Sequence, residues 1–129
     1  MIVVDASVMV EALVGLNPED ELLDALSGHL SAPHVLDLEV LSALCGLVLG
    51  GKLSASDADQ ARQEYFSFAI DRYEAAPLAD RIWELRHQFT SYDASYLALA
   101  EALGVPLHTC DAKLEHGHNA TVRITPRTP

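Results

Sequence analysis

The chain opens on MIVV, apolar throughout, turns polar at Asp5 and Ser7, and resumes an apolar stretch at Val8. A short apolar run bounded by polar residues reads as a strand buried on both faces, which predicts β-structure over Ile2–Val4. Val8 to Val14 then reads as a short helix that Asp5 or Ser7 can cap. The stretch Asn17-Pro18-Glu19-Asp20-Glu21 sets a capping residue before a proline and acids in a first turn, predicting a helix to about Ser27-Gly28. Leu30–Ala32 predicts a second short strand, ended by Pro33. Across Asp37–Leu49 the apolar residues Leu41, Leu44 and Val48 recur at helical spacing and Gly50-Gly51 end the pattern; Glu39 falls in its first turn. Ser54 followed by Asp57 opens a helix to about Phe68, and Ala69–Tyr73 predicts a third strand. A helix starts at Pro77 and runs through Ile82, Leu85, Arg86 and Phe89. Ser91 caps another that carries Tyr92-Asp93-Ala94 and ends near Gly104. Val105–Thr109 is a fourth strand delivering Asp111, and Val122–Ile124 a fifth, ahead of a proline-containing tail.

Strands alternating with helices, without an internal repeat or linker, point to an α/β fold. With 129 residues the chain is the size of one ordinary domain, so 1–129 is expected to share one core. Half of the residues are apolar and the mean hydropathy is +0.14. No apolar run approaches the roughly 20 residues of a membrane span, and no basic region, apolar stretch and small-residue cleavage site follow one another at the start. A soluble cytoplasmic protein is the expectation. Cys45 and Cys110 form no CxxC pair and are expected to pack as small apolar residues.

The formal net charge of −11 argues against nonspecific nucleic-acid binding, which shows itself as a basic patch. That changes if several carboxylates gather around divalent cations, because the ions reverse the local sign where a phosphate would sit. Asp5 and Asp111 each follow a predicted strand, and open parallel sheets bind ligands at the carboxyl ends of their strands. Glu39 and Asp93, in helix first turns, can begin beside the same edge. Taken singly, each acid has another use: Asp5 as a helix cap, Glu39 and Asp93 as first-turn acids favoured by the helix dipole, Asp111 as a turn residue.

Four stretches in order, IVVDASV, LEVLSAL, SYDASYLALAEALGVPL and HTCDAKL, resemble the PIN-domain ribonucleases, specifically the VapC-type toxins of bacterial toxin–antitoxin pairs. The resemblance spans essentially the whole chain, and SYDASYLALAE is its most specific part. It implies a three-layer α/β/α domain around a parallel sheet of order 3-2-1-4-5, which makes the strands bearing Asp5 and Asp111 neighbours. It matches Asp5, Glu39, Asp93 and Asp111 to the family's acidic quartet, and Ser7 and Thr109 to hydroxyl positions that orient carboxylates or water. A carboxylate ending a buried strand is costly unless paired or bound to a cation, and hard oxygen donors suit Mg²⁺ or Mn²⁺. The implied chemistry is hydrolysis of RNA, tRNA or rRNA, by a metal-activated water that leaves a 5′-phosphate and a 3′-hydroxyl. The implied partners are a cognate VapB-type antitoxin and a second copy of the chain in a homodimer, with no membrane. A catalytically silent PIN-like module that binds RNA or protein is the alternative.

Lys113 and Arg86 are candidate RNA contacts, each with a surface role as its alternative. Trp83, Tyr92 and Tyr96 are expected to serve core or dimer packing before base stacking. His116 and His118 beside Cys110 and Asp111 match no closed zinc spacing. Two rivals of the same fold class fail on residues. A phosphorelay receiver needs a lysine ending the fifth strand, where Arg123 lies within it, and a haloacid-dehalogenase-type phosphatase needs an aspartate where Ser7 stands.

Overall fold

A computed structural model describes residues 1–128. Five parallel strands, β1 (Ile2–Val4), β2 (Leu30–Pro33), β3 (Ile70–Tyr73), β4 (Leu107–Thr109) and β5 (Val122–Ile124), form one sheet in the order β3-β2-β1-β4-β5. Six helices flank it: α1 (Ala6–Val14), α2 (Asp20–Leu26), α3 (Val35–Leu49), α4 (Ala55–Ser67), α5 (Ala79–Glu84) and α6 (Ser91–Leu103). The three-layer arrangement and the strand order are those the resemblance implied.

The central strand explains the layering. Val3 and Val4 are both fully buried, which a strand achieves only when each sheet face is covered. Helix α6 packs on β1, β2 and β4, and its residues Ala94 to Ala100 are all buried, so it shows no polar stripe. Gly104, with φ of +66°, ends it in the left-handed conformation that lacks a Cβ penalty. Helix α1 packs against α3, α4 and β4. The start of α3 is pinned by a polar triad: Tyr65 of α4 donates to Asp37 at 2.6 Å, and Arg72 of β3 donates to both Asp37 oxygens at 2.9 and 3.0 Å. Burial raises the Asp37 carboxyl, but the bonds from Arg72 and Tyr65 outweigh it and hold the group below its usual range. Asp37 thereby fixes the position of Glu39, two residues on.

Several expectations shift at helix ends. Helix α2 begins at Asp20, behind Glu19, so Asn17 is not its cap and Pro18 is not its first residue. The Asn17 N–H is taken by Thr128 from the chain's other end. Helix α3 begins at Val35, which moves Glu39 past the first turn and removes the dipole as its reason to be there. Thr90, not Ser91, caps α6 by accepting from Asp93 N–H at 3.1 Å. The Pro77 helix is a 3₁₀ turn over Ala76–Leu78 followed by a short α5, and Leu85 already lies outside it. Cys45 is exposed on α3 instead of packing inside, whereas Cys110 does pack against the core.

One close approach yields a measurable expectation. A Cβ on Gly15, which ends α1, would lie 2.3 Å from Glu11 Oε2 and 2.4 Å from the Glu11 carbonyl oxygen. Backbone cannot yield as a flexible side chain can, so Gly15→Ala is expected to lower stability by about 1 to 3 kcal/mol in denaturant unfolding. An unchanged midpoint and slope would show that the α1 terminus rearranges freely.

Candidate active site

Asp5 terminates the central strand and caps α1, which answers how a carboxylate can sit there with only 7 % of its surface exposed. Its Oδ1 accepts from Ser7 Oγ at 2.6 Å and from Val8 N–H at 3.2 Å, and its Oδ2 accepts from Thr109 Oγ1 at 2.5 Å. Each hydroxyl also accepts a backbone N–H from the segment after β4: Cys110 N–H to Ser7 Oγ at 2.8 Å and Asp111 N–H to Thr109 Oγ1 at 3.0 Å. With its one proton turned toward Asp5, each hydroxyl is locked in register between the two neighbouring strands. Burial pushes the Asp5 carboxyl above its usual range, and the bonds from Ser7, Thr109, Val8 and the Ser7 backbone oppose that rise.

Glu39 projects from α3 and accepts from the Tyr96 hydroxyl of α6 at 2.5 Å. Burial raises its carboxyl, the Tyr96 bond lowers it, and the charges of Asp93 and Asp5 raise it further. Burial likewise raises Asp93; Lys113 opposes that rise, while Asp111 reinforces it. Asp111 accepts from Lys113 N–H at 3.0 Å and lies 3.5 Å from the Lys113 ammonium. The four acids from distant parts of the chain therefore act on one another in a chain of like charge, Asp5 to Glu39 to Asp93 to Asp111. Among the described residues, no three His, Cys, Asp or Glu side chains stand close enough to hold an ion as they are. Tyr96 engages Glu39 and Lys113 engages Asp111. The donor set consists of oxygen alone, carboxylates with hydroxyls behind them, and that composition fits a hard cation such as Mg²⁺ or Mn²⁺ rather than zinc.

The remaining candidates separate. Lys113 stands beside Asp111, so its charge bears on the acidic edge. Arg86 instead lies over the Trp83 ring, 4.7 Å from its centroid, and donates to the Trp83 carbonyl. Trp83 and Tyr92 are exposed, so neither is core, while Tyr96 is buried. His118 is spent on the Leu114 carbonyl and on Ala120 N–H, and His116 points to solvent. Tyr96 is the site residue that reading for packing missed. Its position three residues after Asp93, one turn along α6, puts it on the same side and was the available signal.

A family model described as "PIN domain" matches residues 2–117. Among curated relatives, the chain is 41 % identical over 125 residues to Ribonuclease VapC9 of Mycobacterium tuberculosis, covering 97 % of each. It is 35 % identical over 127 residues to Ribonuclease VapC12 of the same species, covering 96 % of this chain and 98 % of the other. Among solved structures, PAE2754 from Pyrobaculum aerophilum superposes with a TM-score of 0.71 at 24 % identity, covering 94 % of this chain and 81 % of that one. A toxin–antitoxin complex from Klebsiella pneumoniae does so with a TM-score of 0.61 at 17 % identity, covering 91 % and 92 %. These structures share the fold.

Proposed function

Because the chain belongs to the PIN-domain family, among its VapC-type toxin ribonucleases, we propose that Asp5, Glu39, Asp93 and Asp111 form the active site of a divalent-metal-dependent endoribonuclease. The observation that carries this reading is Asp5 itself, a buried carboxylate on the central strand whose oxygens are held by Ser7, Val8 and Thr109. An ordinary helix cap needs the Val8 bond alone; hydroxyls on two sides fix the whole carboxylate plane, as a group that must present its oxygens in one direction requires. Glu39, Asp93 and Asp111 would complete the oxygen set for Mg²⁺ or Mn²⁺. Bound there, the ion supplies Lewis acidity toward a water and a phosphate oxygen, and it reverses the sign of an edge that would otherwise repel a polyanion.

The protein's own groups do the positioning. Ser7 and Thr109 orient Asp5 and tie it to the Asp111 segment, so that the two acids keep one spacing. Tyr96 orients Glu39 from beneath. Lys113 places a cation next to Asp111, where a phosphate oxygen of the substrate can replace it as a partner. No histidine or lysine nucleophile is needed. Residues 1–129 act as one PIN domain, with structured tRNA or rRNA as substrate, a VapB-type antitoxin as inhibitor and a homodimer as the assembled form. No helix among the described residues is long and apolar enough to cross a membrane, and we place the protein in the cytoplasm.

The test is cleavage of a labelled panel of structured RNAs. Mn²⁺ or Mg²⁺ should be required, EDTA should stop the reaction, and the products should carry a 5′-phosphate and a 3′-hydroxyl. Cutting that survives excess EDTA would refute the assignment, because every proposed catalytic group is a cation ligand.

A further inference from the structure

The cations of this acidic chain are distributed unevenly. Of eight lysines and arginines, Arg62, Arg72, Arg81, Lys113 and Arg123 each pair with a carboxylate, and Arg86 covers Trp83. Among the described residues the two others, Lys52 and Arg127, pair with none, although the chain has nineteen acids. Both line the same cavity, of about 880 Å³, which reaches the active site at Ser7 and Glu39. Its walls are α1, α3, the turn after α3 and the C-terminal tail.

The tail is anchored there by a purpose-shaped contact. Thr125 N–H donates to the Thr109 carbonyl at 2.8 Å, extending the register of β4 and β5. Three residues on, Thr128 donates through N–H to Glu11 Oε1 at 3.1 Å and through its hydroxyl to Glu11 Oε2 at 2.7 Å, and accepts from Asn17 N–H at 3.2 Å. Glu11 is 6 % exposed and sits inside α1; Gly15 leaves it the space, since a Cβ there would collide with its carboxylate. The clamp brackets Arg127 between two tied residues. Arg127 lines the cavity together with Ser7 and Glu39, and so shares one continuous space with the active site.

Resting on the nuclease reading above, we propose that this cavity is the path of the RNA strand leaving the cleavage site, with Lys52 and Arg127 contacting its backbone phosphates and the Glu11–Thr128 clamp holding Arg127 in place. The favoured occupant is a polyanion: of the acids that line the cavity, Glu11 is occupied by Thr128 and Glu39 would be occupied by the metal ion, which leaves Lys52 and Arg127 as its unpaired charges. The mostly apolar floor, Val10, Val14, Ala43 and Leu47, suits unstacked bases between them.

The experiment measures KM and kcat for cleavage of one labelled RNA with Mn²⁺, over a series of salt concentrations. Lys52→Gln and Arg127→Gln should each raise KM about tenfold, with the loss falling on KM and not on kcat. Each should also flatten the dependence of log affinity on log salt by about 0.7, one phosphate's share for a single strand. Thr128→Val should raise KM in the same direction, and Thr128→Ser should restore it, which a loss of fold stability would not do. Arg62→Gln, an exposed cation paired with Asp59, should match the parent. Unchanged KM and salt slope in both Lys52→Gln and Arg127→Gln, with the parent active, overturns the strand path alone. The same result with weaker binding of an arginine-containing amphipathic peptide assigns the cavity to a protein partner and overturns it equally. A parent that neither binds nor cuts RNA overturns the nuclease reading itself.

Discussion

Asparagine at Asp5 or at Asp93 is expected to lower RNA cleavage by roughly 10²-fold or more and, at equal protein level, to relieve the growth arrest expected when the parent is expressed alone. The change removes a charge and almost no volume. At Asp5 the fold can absorb it: the amide oxygen keeps the bonds from Ser7 and Val8 N–H, and the amide NH₂ turns to Thr109, whose hydroxyl can rotate to accept. The protein should therefore remain folded while losing the anionic oxygen. Circular dichroism and a thermal melt beside the cleavage assay separate the two effects. Variants as active and as toxic as the parent would place the chemistry elsewhere.

The second large effect is on stability and needs no substrate. In EDTA, Asp5, Glu39 and Asp93 all have carboxyls raised above their ordinary values, first by burial and then, for Glu39 and Asp93, by neighbouring acids. A raised carboxylate holds its proton more tightly folded than unfolded. Its stabilising contribution is thus complete below the unfolded value, near 3.8 for aspartate and 4.5 for glutamate, and is lost as pH rises through the folded value. Near neutral pH all three cost stability, so metal-free Asp93→Asn should melt at the same temperature as the parent or higher. Mn²⁺ at a hundredfold excess over its dissociation constant should stabilise the parent by about 2.7 kcal/mol, a shift on the order of 10 °C, and the variant markedly less. An acid that only favours its helix dipole would behave otherwise: its loss would cost about 0.3 to 1 kcal/mol and leave the metal response whole. A destabilised variant with a full metal shift would mean that the four acids do not share a site.

Much of the fold was legible along the chain because burial writes itself locally. An apolar triplet ahead of a polar residue is enough for β1, two β-branched residues alternating about Arg123 mark β5, and the spacing around Leu44 is enough for the body of α3. Helix ends were legible only where one capping residue had no rival. Ser54 does accept from Asp57 N–H as its position predicts. At α6 two hydroxyl residues compete, and Thr90 takes the role because the chain enters the helix one residue earlier. At α2 the strong start signal of Asn17-Pro18 is not used: the helix begins at Asp20 behind Glu19, and the Asn17 N–H goes to Thr128.

The candidate site divides in the same way. The amino-acid sequence by itself determined which acids follow which strands, that Asp5 lies next to α1, and, through the motifs it shares with PIN-domain ribonucleases, which four carboxylates to watch. Only the tertiary structure decided what those carboxylates touch. Thr109 reaches Asp5 from 104 residues away, Tyr96 reaches Glu39 across 57, and Thr128 reaches Glu11 across 117. The periodicity of a segment records which of its faces is buried, but not what buries it. That partner is set by the strand order β2-β1-β4, which lays the ends of distant segments side by side, and by the small group of donors that can then satisfy a carboxylate withdrawn from water.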